Sequence, residues 1–204
     1  MAKILNVDYE QMPVKAGKMR ETGVALNAEM TSAYASIANM HSSWYGRRYN
    51  DLVTTFNEFA PIVNNMLTLV VKTVPFALET VANNYSQADR GENIRAAVET
   101  EPNRIQELAI HSDVGMRFLS SEVSSVQSQV QKNFQSALEK LETIQAVFNE
   151  IQWESEAATA FRTEFSSLKG QISNGIAKIN TEFKNLMEQA QTDIQNAESA
   201  NTVQ

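Results

Sequence analysis

From Met12 onward an apolar or small residue returns at alternating spacings of four and three: Met12, Ala16, Met19, Gly23, Leu26, Met30, Ala33, Ile37, Met40 and Trp44. That alternation is the a/d seam of a helix packed lengthwise against other helices. A short break at His41–Gly46 follows. The pattern then resumes through Leu52, Phe56, Phe59, Val63, Met66, Val70, Val74, Ala77, Val81 and Tyr85. Two long amphipathic helices joined by so short a turn must run antiparallel, as a helical hairpin. Breakers are scarce, with 7 Gly and 4 Pro in 204 residues. Pro61 and Pro75 fall inside the second stripe, which continues through both, so each is expected to kink that helix without ending it. Asp8 is the expected N-cap of the first helix.

Between Ser86 and Ser112 the periodicity fades into Asp89-Arg-Gly-Glu and Glu99-Thr-Glu-Pro-Asn. This reads as a linker, with short helical stretches expected near Ile94–Val98 and Ile105–Ile110. A second hairpin follows. Its first stripe is Val123, Val126, Val130, Phe134, Ala137, Leu141, Ile144, Phe148 and Ile151. Its second is Ala157, Phe161, Phe165, Leu168, Ile172, Ile179, Phe183, Leu186, Ala190 and Ile194, with Trp153-Glu154-Ser155 between them. Counted from Trp44, apolar residues fall at offsets 8, 12, 15, 19, 26, 30, 37 and 41, and they fall at the same eight offsets from Trp153. The chain therefore reads as a tandem repeat of one hairpin: residues 1–89, a linker at 90–112, and a second copy at 113–204.

Several function classes lose support. The absence of Cys removes disulfides, thiolate nucleophiles and Cys-ligated metals. A net charge of −7 and a pI near 4.9 oppose nucleic-acid binding, which needs a basic surface. The most apolar stretch, Ile62–Val81, carries Asn64, Asn65, Lys72 and Glu79, so no stable membrane insertion is expected. The first eight residues hold one Lys, no apolar run and an acid, unlike a Sec signal peptide. His41 and His111 are the only histidines and read as surface or capping residues; Glu107 stands four residues before His111, not the three of a diiron Glu-x-x-His pair. No phosphate loop or nucleophile elbow is present. No catalytic, cofactor-binding or metal-ligating residue is assigned, and no cofactor is expected.

Trp44-Tyr45-Gly46 at a hairpin tip resembles the WXG (Esx-type) family of type VII secretion, and Trp153-Glu154-Ser155 resembles a degenerate copy. Tyr85-Ser-Gln-Ala-Asp89 resembles the family's Tyr-x-x-x-Asp/Glu tail; in the second half Ile194 replaces the Tyr and Glu198 keeps the acidic place. The resemblance covers residues 7–89 well and 114–198 more loosely. It implies turn motifs at Trp44, Gly46, Trp153 and Ser155, and a secretion signal at Tyr85 and Asp89. It further implies an all-α chain whose two hairpins pair with each other as an antiparallel four-helix bundle. The expected function is that of a type VII substrate or adaptor acting by protein binding, cytoplasmic before export and then secreted. Its partner would be the secretion ATPase or a larger effector. The rival expectation is a chaperone or structural bundle that is not itself exported. Helices of about 32 residues span about 48 Å, and about 27 linker residues reach roughly 90 Å when extended, so the linker is long enough to run the length of such a bundle.

Overall fold

The computed structural model describes residues 7–201. The Sec-signal reading rests mainly on residues 1–6, which lie outside that range. The described chain is all-α apart from two short strands. Helix α1 spans Met12–Met40, strand β1 Trp44–Tyr45, α2 Arg47–Leu67, α3 Val74–Arg90, β2 Arg117–Phe118, α4 Ser120–Glu150 and α5 Glu156–Ala200. A π-helical turn, Thr68–Thr73, joins α2 to α3 as one continuous rod. The wide turn ends just before Pro75, whose ring and missing N–H disturb the α-helical pattern one turn upstream. Pro61 lies within α2 without ending it.

The α1 stripe is buried throughout, Met12, Met19, Met30 and Met40 included. Gly23 belongs to it for a steric reason. A Cβ there would stand 2.7 Å from Val71 Cγ2 at the π-helical turn, too close for any side chain. Asp8 does not cap α1. The N-cap is Gln11, with Pro13 in the first turn, and the Asp8 carboxylate accepts from Gln11 N–H in the turn before it. The hydrogen bond that α1 would have drawn from Asp8 is spent one turn early, because Pro13 sets the helix start.

Helices α1 and α4 run in opposite directions: Lys15 meets Glu150, Glu29 meets Ser136, and Ser43 meets Glu122. Helices α2 and α5 do likewise, with Arg48 Nε 2.9 Å from Asp193 and Lys178 Nζ 2.9 Å from Glu58. The rod Arg47–Arg90 is long and apolar enough to cross a membrane by length and composition. Here its apolar side packs on α1 and α5.

Residues 91–116 contain no helix, contrary to the expectation near Ile94–Val98 and Ile105–Ile110. The reason lies on α2. Asn50, Asn57 and Asn64 each use both ends of the side-chain amide, donating to the carbonyl and accepting from the N–H of His111, Leu108 and Ile105 respectively. Seven residues of helix rise about 10.5 Å, and three residues of extended chain cover about 10 Å. The two repeats stay in step, and the connector's backbone groups find partners without forming a helix. Farther along, Glu79 accepts from Val98 N–H while Arg20 donates to the Val98 carbonyl, and Asn83 holds Ile94 and Arg95. The connector thus returns from the end of α3 along α2, and Ile105 is buried beneath it.

Replacing Asn50, Asn57 and Asn64 together with alanine is expected to cost about 1 kcal/mol per amide. It should also free the amides of His111, Leu108 and Ile105 to exchange rapidly, with the helices still protected. Native-state hydrogen exchange is the check; unchanged protection at those three amides would contradict the pairing.

Candidate functional site

The two hairpin turns lie at different ends of the molecule. At the first, Trp44 is 1% exposed. Its ring lies 5.3 Å from Phe118 edge-on, 6.1 Å from Phe183 in a stacked pose, and 6.3 Å from Tyr49. Strand β2 covers it: Trp44 pairs with Phe118 and Tyr45 with Arg117, antiparallel. This strand pair had no signal in the sequence reading. Gly46 is the N-cap of α2 at φ 112°, a backbone region that favours glycine, and a Cβ there would meet the Gly115 carbonyl at 3.3 Å.

At the second turn Ser155 is the N-cap of α5. Its backbone is extended and its hydroxyl accepts from Ala158 N–H at 3.0 Å. Gly46 and Ser155 therefore hold the same position, two residues after a Trp and one before a helix. One supplies a conformation only glycine adopts easily, the other a side-chain cap. Trp153 is buried, lines a small cavity with Val74, Leu78 and Phe148 and has its ring 6.2 Å from that of Phe161, and Arg162 ties the turn by donating to the Trp153 and Ile151 carbonyls.

The tail residues Tyr85 and Asp89 sit in the last turns of α3, Tyr85 half-buried and Asp89 exposed. Asp89 accepts a hydrogen bond from Tyr9, and Arg90 pairs with Glu10 at 2.6 Å while lying over the Tyr9 ring. That clasp fastens the end of α3 to the segment before α1. On the other side Ile194 is half-buried and lines a small space with Trp44, Ala190 and Met116, while Glu198 is exposed on α5. Arg48, which opposes the α2 dipole, is compensated by Asp193.

Two features escaped the sequence reading. The first is a groove of about 1200 Å³ between α2, the π-helical turn and the first turns of α5, lined by Asn65, Thr68, Leu69, Arg162, Glu164 and Leu168 among others. The second is a cluster beside the first turn. His41, which follows α1, stacks on His111 at 3.8 Å between ring centroids, and its Nε2 lies 2.6 Å from Asp113 Oδ2. Tyr49 forms a wall of this cluster, 5.3 Å from His41, and its hydroxyl is pushed up to about 12 by burial first and Asp113 second. His41 and His111 stand seventy residues apart in the chain, and the amide rungs of α2 bring them together. The three asparagines at seven-residue intervals were the available signal, but on a helix they pass for solvated surface.

No family model, no curated protein and no solved structure matches this chain.

Proposed function

We propose that the chain is a single-chain counterpart of a WXG-type pair, two hairpins folded against each other as an antiparallel four-helix bundle. In this reading it serves a type VII secretion system as substrate or adaptor, through binding and not catalysis. One observation carries the reading. Each hairpin's Trp meets the other hairpin at the same repeat position: Trp44 stacks on Phe183, thirty residues beyond Trp153, and Trp153 lines one small cavity with Val74, thirty residues beyond Trp44. Such reciprocity is what two related hairpins produce when they pair about a two-fold axis. The secretion ATPase would recognise the exposed end built by Tyr85 and Asp89 near the second turn. Trp44, being buried, contributes by shaping the other end and makes no direct contact with a partner. Export would carry the chain from the cytoplasm to the outside.

The rival reading, a chaperone that holds a larger effector and is not itself exported, is favoured by the groove at the start of α5. Export of point variants separates the two. Tyr85→Ala and Asp89→Ala are expected to abolish export with little change in melting temperature. Ile194→Ala should lower stability and leave export intact; Glu198→Ala should do little to either. Normal export of the Tyr85→Ala protein together with early melting would make Tyr85 a packing residue only. Retention of the unaltered chain inside, in a strain whose type VII motor is intact, would favour the chaperone.

A further inference from the structure

We propose that His41, His111 and Asp113 bind one divalent transition-metal ion, Zn²⁺ foremost. One ligand atom from each residue lies within 4.8 Å of the others. Two imidazoles and a carboxylate suit Zn²⁺, Ni²⁺ or Co²⁺, whereas Mg²⁺ and Ca²⁺ require oxygen-rich shells. Three protein ligands leave a fourth tetrahedral position for water.

The surroundings hold the set in place. Asn50 clamps the His111 backbone from both sides, at 2.6 Å to its carbonyl and 3.1 Å to its N–H. His41 is the C-cap of α1, so the negative end of that helix dipole adjoins the site and favours a cation. The walls are aromatic, with Tyr45 6.1 Å and Tyr49 5.3 Å from the His41 ring. The imidazoles are only partly buried, which leaves a path for an ion.

Without metal, His41 Nε2 and Asp113 share a hydrogen bond. The ion takes the place of that hydrogen bond: a neutral imidazole binds it through Nε2 with its ring proton on Nδ1 and no net release, whereas an imidazolium gives one proton to solvent. The stacked rings must fan slightly for both lone pairs to converge, a side-chain rotation the half-exposed site permits. The ion would then join the turn after α1 to the C-terminal part of the connector and lock β2 over Trp44. This clasp operates whether the chain is exported or retained.

The test uses the untagged full-length chain, stripped of metal and titrated with Zn²⁺, with Mg²⁺ as control, by calorimetry and thermal melting. One Zn²⁺ per chain is expected, with a melting temperature about 5–10 °C higher at roughly a hundredfold excess over Kd. Mg²⁺ should shift nothing. His111→Gln and Asp113→Asn should each weaken Zn²⁺ binding by at least about tenfold, with circular dichroism confirming the fold. Co²⁺ added to the unaltered chain gives a second readout that no variant can spoil: an intense four-coordinate visible spectrum supports the site. Either of two results would overturn the proposal: substoichiometric Zn²⁺ binding with only the weak spectrum of hydrated Co²⁺, or full Zn²⁺ affinity retained in a folded His41→Gln/His111→Gln protein.

Discussion

Glu79→Ala is expected to lower folding stability by about 3–5 kcal/mol, the usual cost of breaking a buried ion pair from one side. Glu79 has no exposed surface. Its two oxygens accept from Arg20 Nη1 at 2.6 Å and Nη2 at 2.9 Å, and one also accepts from Val98 N–H at 2.8 Å. Burial alone would push this carboxyl up; the Arg20 guanidinium and the Val98 N–H outweigh it and hold it below the usual carboxylate range. Removing Glu79 leaves a largely buried guanidinium without its counter-charge, held by the Val98 carbonyl, and a backbone N–H without its acceptor. The double variant Arg20→Met/Glu79→Met should recover much of the loss, because two apolar chains of similar length need no partner and exposed Val98 can turn its N–H and carbonyl to water. Denaturant titration of the three proteins checks both statements. The pH dependence follows from the lowered folded value. The contribution of Glu79 is complete above the unfolded-chain carboxyl value of about 4.3 and is lost as pH falls through the lower folded value. Glu79→Ala should therefore flatten the acid limb of the stability profile.

Trp44→Ala is expected to cost a similar amount, about 3–5 kcal/mol, as for other buried aromatics cut back to alanine. Three rings surround the indole, and β2 closes over it. Because Phe118 precedes α4 and Phe183 belongs to α5, the loss should loosen the first turn from both helices of the second hairpin. Trp153→Ala should cost about 3 kcal/mol, at the lower edge of that range, since Trp153 is more exposed and, among the described residues, has Phe161 alone as a ring neighbour. Melting of the two variants side by side tests the difference. Equal midpoints for Trp44→Ala and the unaltered protein would remove the indole from the core.

The helices were legible because burial follows the period of the stripes. Residues at seven-residue and alternating offsets from Trp44 and Trp153, such as Phe56 with Phe165, Val63 with Ile172 and Val70 with Ile179, are buried in both hairpins. Boundaries were less so: the α1 start moved from Asp8 to Gln11 because Pro13 sets it. Ala157 proved exposed and Ala158 buried, since the Ser155 cap fixes the helix phase. The connector defeated local reasoning. Ile94–Val98 and Ile105–Ile110 look helical in isolation, yet their backbone partners are side chains on α2 and α3 about eleven to sixty-one residues distant in the chain. The same distance hid the His41–His111–Asp113 cluster. For the candidate turn residues, the sequence located Gly46 and Ser155. Only the backbone angles explain why the two positions carry different amino acids.

In the proposed arrangement one chain contains a pair of hairpins that face each other about a two-fold axis, with their turns at opposite ends. The absence of Cys makes it directly measurable. Spin labels at Ser42→Cys and Glu154→Cys occupy exposed positions beside the two turns. A 29-residue helix such as α1 spans about 43 Å, so the pulsed-EPR distance should be single and near 45 Å. It should not change when labelled chain is diluted into unlabelled chain. A distance below about 20 Å would mean that the hairpins pair with their turns together, and a broad distribution altered by dilution would mean that they pair between chains; either would contradict the account.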